Sequence, residues 1–327
     1  MNFTLIVCTY MRPQPLLNLL NSVKLQTVYP NEILIIDGST NEETKTVLEQ
    51  NKFPNLNYFL VLPEERGLTR QRNFGVSKVA KNSEIVCFLD DDTILEPDYF
   101  EHLLNTYSVY PDALGAGGYI TNIAQWTKTG QNYIPKNNEF YFDGWKKPES
   151  KRFMIRKKFG LDSDKNPGFM PEFSNGRGVS YLPPSGKIYP VEQFMGGVAS
   201  FKKEVFDTFS FSPYFEGYGL YEDADFTLRI SKTGNLYFNS NARLAHYHDN
   251  SGRPNKFKYG QMVVRNGWYV WRVKYPKPSV KARVKWNLIV LLLSFILLSN
   301  VFTKPKKSAS INEFFGRITA WFSLVFK

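Results

Sequence analysis

The chain has 327 residues, 43% hydrophobic and 16% aromatic, enough apolar material for a packed core in one large or two modest domains and too much for a disordered chain. Its formal net charge of +11 is unevenly placed: residues 1–249 hold 26 basic and 29 acidic side chains, whereas residues 250–312 hold thirteen Lys/Arg and no Asp/Glu. A basic block confined to one end and flanking an apolar run speaks against nucleic acid as a partner and for an anionic membrane surface.

The first predicted element is a strand over residues 3–8, with neither the basic start nor the cleavage site of a signal peptide, which places the body in the cytoplasm. Cys8 and Cys87 sit in apolar runs without metal-ligand spacing and read as small buried hydrophobes in a reducing compartment. After Pro13 and Pro15, Leu16, Leu17, Leu19, Leu20 and Val23 recur at helical spacing. A second strand over 32–36 runs into Asp37, Gly38, Ser39 and Thr40, and Asn41 is placed to cap a helix through Gln50. A strand over 57–62, a helix over 67–81 and a strand over 84–89 follow. Strands alternating with helices predict an α/β fold with a parallel, helix-covered sheet. Its ligands would lie at the strand carboxyl ends, here residues 9–12, 37–39 and 90–92.

Residues 122–190 mix Pro, Gly, Asn, Lys and aromatics without period and read as a long loop-rich insertion, an acceptor-side region or lid. Pattern returns with Phe194, Met195, Gly196 and Gly197, a short helix near 202–209, and a helix opened by Glu222 and Asp223 and ending at Ser231. Residues 286–303 carry no charge and lie at the short end for a membrane span, with Lys281, Arg283 and Lys285 before them and Lys304, Lys306 and Lys307 after. Trp268 and Trp286 suit an interface, and Phe314, Phe315, Ile318, Trp321, Phe322 and Val325 approximate one helical face. A buried core helix is the alternative for 286–303.

The strand over 84–89 ends in Asp90, Asp91 and Asp92. Three adjacent carboxylates repel one another unless positive charge sits among them, and a divalent cation carrying a diphosphate prefers such oxygen ligands. The structural alternative is a solvated turn in which Asp92 and Thr93 cap the next helix. Asp92 is the candidate for direct metal contact, with Asp90 and Asp91 supporting it or touching the ribose.

Five short stretches in this order resemble family 2 glycosyltransferases. These are Val7 to Pro13, Ile36 to Thr40, Gly67 to Asn73, the Asp90–Asp92 triplet (similar to the family's DXD metal motif), and Glu222 with Asp223. The resemblance covers about residues 1–250. It implies a GT-A type, Rossmann-like nucleotide-diphospho-sugar transferase fold, here followed by a helical membrane-associated tail. The expected division is a nucleotide-sugar half over 1–110, an acceptor-binding and catalytic half over 111–250, and a basic, apolar tail over 251–327. By resemblance, Asp37 holds the nucleobase and Thr9, Tyr10 and Arg12 line its pocket. Arg72, with Arg70 as substitute, reaches the diphosphate or buttresses the acids; a structural salt bridge is its other reading. Gly196 and Gly197 resemble an acceptor-site turn, and Glu222 is expected with them among the acceptor-binding residues.

Asp223 is the candidate base, although acids in a helix's first turn are favourable without catalysis. A carboxylate base with no covalent nucleophile implies inversion at the anomeric carbon. His246 and His248 alternate in a strand-like stretch, and the resemblance implies that His246, or else His248, completes a metal site for Mn2+ or Mg2+. The expected activity is metal-dependent transfer of a sugar from a nucleotide-sugar to a glycan or polyprenyl-linked acceptor. It would serve cell-surface polysaccharide synthesis at the cytoplasmic face of the membrane, with attachment through the C-terminal segment. Residues 261–265 miss the processive-synthase pattern by one position, so processive synthesis is not expected. The competing readings are a membrane-bound, non-catalytic carbohydrate-binding or scaffolding protein and a sugar nucleotidyltransferase.

Overall fold

The structure is a computed structural model that describes residues 1–130, 132–215, 218–247, 254–299 and 307–325. By its own contacts the chain divides into two compact units, Met1–Gln125 with Gly178–Asn250, and Trp126–Arg177 with Ser251–Lys327.

The first unit opens with β1 (Phe3–Thr9), α1 (Pro13–Lys24), β2 (Glu32–Asp37), α2 (Glu43–Gln50), β3 (Leu56–Leu60), α3 (Leu68–Lys78) and β4 (Ile85–Asp90). β1 lies between β2 and β4, parallel to both, and is buried along almost its whole length, which is why its sequence is a continuous apolar run. α1 starts with Pro at its first position, where a missing N–H costs nothing, and buries Leu16, Leu19, Leu20 and Val23. Registers are decisive for the site. Thr9 pairs with Asp37 and Cys8 with Asp90, so the carboxyl ends of β1, β2 and β4 stand side by side.

Past the triplet, the chain does not enter a helix. β5 (Thr93–Leu95) follows at once, and the next helix, α4 (Tyr99–Val109), begins after Asp98. The capping alternative for Asp92 and Thr93 is thereby overturned: the β-branched Thr93 and Ile94 extend and pair with a late strand instead. β6 (Ala113–Ile120) completes this half.

The second unit contributes β7 (Thr127–Lys128), β8 (Glu139–Phe142), β9 (Trp145–Pro148) and α5 (Lys151–Lys158). Residues 122–190, expected to be loop, thus contain a three-stranded antiparallel sheet in the order β7-β9-β8. A two-residue turn joins β8 to β9 through Asp143 and Gly144, both at positive φ (48° and 78°), with Phe142 paired to Trp145. That Asp-Gly pair is the strongest short-range hairpin signal, and it was in the sequence to be read. Strands this short, with faces half-exposed on both sides, show no alternation.

The first unit resumes with β10 (Ile188–Val191), β11 (Val198–Lys202), α6 (Glu222–Ile230) and β12 (Asn235–His246). The helix expected near 202–209 is a 3-10 turn over Lys203–Asp207. β11 runs antiparallel between β4 and β6, and β12 runs parallel to β6, giving the order β10-β12-β6-β11-β4-β1-β2-β3 with β5 on β12. The second unit ends with α7 (Lys256–Lys274), α8 (Val280–Ser299) and α9 (Lys307–Val325). Among the described residues, α8 is the one helix long and apolar enough to cross a membrane by length and composition.

Candidate active site

The triplet stands at the end of β4, and its three acids go three ways. Asp91 turns in: Thr9 Oγ1 donates to it at 2.7 Å and Arg12 Nη1 pairs with it at 2.5 Å. Burial pushes its carboxyl up to about 7 although Arg12 and Thr9 pull the other way. Asp92 lies between Arg12 Nη2, at 3.0 Å, and His246 Nε2, at 2.8 Å. Asp90, half-exposed, faces Arg72 Nη2 at 3.5 Å and His246 Nε2 at 3.7 Å.

Strand pairing brings His246 there. β12 lies antiparallel to β5 with His246 opposite Thr93, and Tyr247 N–H donates to the Asp92 carbonyl at 2.9 Å. Asn122 braces the same residue, accepting from His246 N–H and donating to its carbonyl, both at 3.0 Å. Nothing in the sequence singled out Asn122, an amide in a loop. His248 lies outside the described residues.

Asp90, Asp92 and His246 each offer a ligand atom within 4.8 Å of the others. Two carboxylate oxygens and an imidazole nitrogen suit a divalent cation of intermediate hardness. The imidazole's pKa reflects the same crowding. Burial alone would lower it, and the carboxylates of Asp92 and Asp90 raise it overall. The three ligand atoms fit a divalent cation, which would relieve the same crowding of negative charge. A cavity of about 780 Å³ opens beside them, lined by Pro15, Asn18, Asn122 and Tyr247 as well as Asp92 and His246.

Gly196 and Gly197 precede β11 and touch both halves of the site. The Gly197 carbonyl accepts from Asp90 N–H at 3.0 Å, and a Cβ at Gly197 would fall on the Asp90 carboxylate. A Cβ at Gly196 would meet Arg72 Nη1 at 2.6 Å, Glu222 Oε1 at 2.7 Å and Asp223 Cβ at 3.1 Å. The first turn of α6 and the metal-type cluster therefore flank one two-residue turn. Asp223 accepts from Ala224 N–H at 2.7 Å and, at 3.4 Å, from Gly196 N–H. It is half-buried, and burial raises its carboxyl above the ordinary range against those N–H groups and Arg72. The residue before α6, Tyr221, has φ 71°, a left-handed conformation that a bulky side chain rarely adopts.

Arg72 is buried, pairs with Glu222 Oε1 at 2.5 Å, and lies over the rings of Phe211 and Phe88. It buttresses Glu222 and Asp90 from inside the protein. Arg72→Met is expected to lower stability by about 3 kcal/mol, because Glu222 would remain buried without its cation. Urea unfolding with an unchanged slope checks this, and a loss under about 1 kcal/mol would mean that Glu222 takes up a proton instead. Arg70 turns away and donates to the Glu64 carbonyl.

Asp37 is fully buried, accepting from Ser39 N–H at 2.8 Å and Tyr58 O–H at 2.9 Å. Ser39 Oγ in turn accepts from Met11 N–H, tying the β1 and β2 loops together. Tyr10 is exposed at their rim. Tyr58 was not anticipated; β3 sets it opposite Ile35, two residues before Asp37, and its hydroxyl reaches Asp37 from there, a matter of register.

A model of the family described as Glycosyl transferase family 2 matches residues 4–169, just over half of the chain. The chain belongs to glycosyl transferase family 2. It is thus a glycosyltransferase by family, and the fold is of the GT-A type. The glucosyl-dolichyl phosphate glucuronosyltransferase of Haloferax volcanii is 31% identical over 146 residues, which is 43% of this chain and 44% of that protein. The O-antigen chain rhamnosyltransferase RfbN of Salmonella typhimurium is 29% identical over 109 residues, 33% of this chain and 34% of that protein. The aligned part spans less than half the length of these curated relatives. Among solved structures, S. aureus TarS 1–349 in complex with UDP matches with a TM-score of 0.50 at 16% identity, covering 100% of this chain and 76% of that chain. GalNAc-T7 with UDP, GalNAc and Mn2+ matches with a TM-score of 0.50 at 18% identity, covering 83% and 50%. At such identities the likeness concerns the fold.

Proposed function

We propose that this family 2 glycosyltransferase is metal-dependent and inverting. It would move a sugar from a nucleotide-sugar donor to a hydroxyl of a glycan or polyprenyl-linked acceptor in cell-surface polysaccharide synthesis. The observation that carries the reading is the convergence of Asp90, Asp92 and His246 on one side of the Gly196–Gly197 turn, with Asp223 on the other. The curated relatives, named for a dolichyl phosphate-linked sugar and for an O-antigen chain, support the acceptor class.

In this mechanism, Asp37 and the loop of Thr9, Tyr10 and Arg12 hold the nucleoside so that the reacting atoms start aligned. The acceptor hydroxyl oxygen attacks the anomeric carbon as the bond from that carbon to the diphosphate oxygen breaks, and Asp223 takes the hydroxyl proton. One displacement from the opposite side inverts the centre. Asp92, His246 and Asp90 would hold a divalent cation, which when bound would supply charge neutralisation for the departing diphosphate. The histidine favours Mn2+ over Mg2+. Arg12 and Arg72 keep the acid cluster tolerable before any donor arrives. The basic C-terminal segment holds the enzyme at the cytoplasmic membrane face, raising the effective concentration of a lipid-borne acceptor.

Thermal-shift titration with UDP, GDP, dTDP and CDP, each with and without Mn2+, tests the donor site. One diphosphate is expected to stabilise the protein only with metal, by about 2.7 kcal/mol at a hundredfold excess over Kd. An equal shift without metal would remove the metal from the site. No response to any of the four would favour the non-catalytic carbohydrate-binding reading.

A further inference from the structure

We propose that the C-terminal helices lie in the plane of a membrane surface as a one-sided anchor and that α8 does not cross the bilayer; this rests on the membrane attachment proposed above. By length the opposite would be natural, since 20 residues of helix span about 30 Å, the thickness of a hydrocarbon core. The argument against crossing comes from what is packed alongside.

Two contacts set the direction of α9 against α8. Trp321 Nε1 donates to Asn287 Oδ1 at 2.7 Å, and the rings of Phe314 and Phe295 lie 5.7 Å apart. The helices are antiparallel, and Arg317, midway between Phe314 and Trp321, is level with the middle of the apolar run of α8. Arg317 pairs with Glu313 at 2.7 Å, and Glu313 faces Lys256 of α7 at 3.9 Å. α7 and α9 then cross backbone against backbone: a Cβ at Gly260 would fall on the Glu313 carbonyl, and one at Gly316 on the Phe257 carbonyl. Any depth reached by the centre of α8 is therefore reached by Arg317 and Glu313, with the exposed Lys256 and Lys258 close by. Charged groups at the centre of a bilayer are strongly disfavoured, and Lys256 and Lys258 are exposed, so at that depth much of their surface would face hydrocarbon.

Lying flat removes the conflict. Val284, Leu288 and Phe295 are about half exposed and recur on one stripe of α8, opposite the buried Ala282, Trp286 and Ile289. On α9, Phe315, Phe322 and Val325 form a second exposed apolar stripe, opposite Glu313, Gly316 and Ala320. Such stripes enter the boundary of headgroups and acyl chains while the other side stays wet. Lys281 and Arg283, exposed at the start of α8, reach anionic headgroups with their stems along the apolar layer. The occupant we assign to this face is an anionic lipid surface, because residues 250–312 offer it thirteen cations and no acid.

The full chain tests this in two arms. Single cysteines, Ser279→Cys before α8 and Ser299→Cys at its end, are probed in whole cells with a membrane-impermeant maleimide before and after lysis. The unsubstituted chain, with Cys8 and Cys87, sets the background. Identical sidedness of the two positions in a membrane-bound protein is the expected result; opposite sidedness overturns the in-plane geometry and leaves attachment standing. In the second arm, flotation with phosphatidylcholine–phosphatidylglycerol vesicles compares the chain with a Val284→Asp, Leu288→Asp variant, which leaves the contact of Phe295 with Phe314 in place. Loss of binding by at least about tenfold is expected, with folding of the helices checked by an unchanged far-ultraviolet circular dichroism spectrum. Unchanged binding overturns the assignment of that face. A chain that floats with no vesicle and fractionates with no membrane overturns the attachment itself.

Discussion

Replacing Asp223 with Asn is expected to lower kcat by about a thousandfold, about 4 kcal/mol of barrier, while nucleotide affinity stays within about twofold. The amide keeps the shape and accepts the same N–H from Ala224 or Gly196 through its oxygen, but it cannot take a proton from a hydroxyl. A single-turnover assay beside a nucleotide titration separates the two effects, and equal activity would remove Asp223 from the mechanism. The pH profile adds a second readout. A general base works ionised, and burial raises the Asp223 carboxyl above the ordinary range near pH ~3.9. The acid limb of kcat/KM therefore lies above that value, with activity increasing as pH rises through it, and this limb is absent from the residual activity of Asp223→Asn.

A methyl group at Gly197 is expected to disable the metal-type cluster while sparing the fold. The new Cβ would occupy the place of the Asp90 carboxylate. That carboxylate is the end of a short side chain and can swing aside, so the cost in stability is that of mild overpacking, about 1–3 kcal/mol. What it cannot do after moving is remain 3.5 Å from Arg72 and 3.7 Å from His246. Gly197→Ala should therefore lose metal-dependent stabilisation by the nucleoside diphosphate, and activity should fall about a hundredfold or more. The variant's own urea unfolding, measured without ligand, distinguishes this from collapse. A variant that keeps the metal-dependent shift would mean that Asp90 is dispensable to the cluster.

The parallel half of the sheet was legible because its physics is local. β1, β2 and β4 are buried on both faces and so are apolar throughout, and Pro13 marks a helix start that only a first turn tolerates. Three consecutive aspartates could be recognised as a cluster but not told apart. Their separate fates, Asp91 to Thr9 and Arg12, Asp92 to His246, Asp90 toward Arg72, follow from the path of a turn that Thr93 and Ile94 pull into β5. Arg12 shows the same gap. Resemblance put it in a nucleobase pocket, and the structure adds an ion pair with two acids of the triplet that no local pattern signals. Asn122 and Tyr58 become visible only once strand registers are known. The hairpin of β8 and β9 is different in kind, since Asp143 and Gly144 announced it in a stretch whose lack of period masked it.

The pairing of β5 with the last residues of β12 has a consequence for how the protein is born. Asp90 and Asp92 leave the ribosome early, yet their imidazole partner is among the last residues of the first unit to be made. Chains fold roughly from the amino terminus as they are synthesised, and contacts so distant in sequence form slowly. A nascent chain can therefore build β1 to β4 and display its acids without yet having a complete metal-type cluster. The metal-type cluster would then be completed in one late step, when β12 closes on β5 and brings His246 to Asp92.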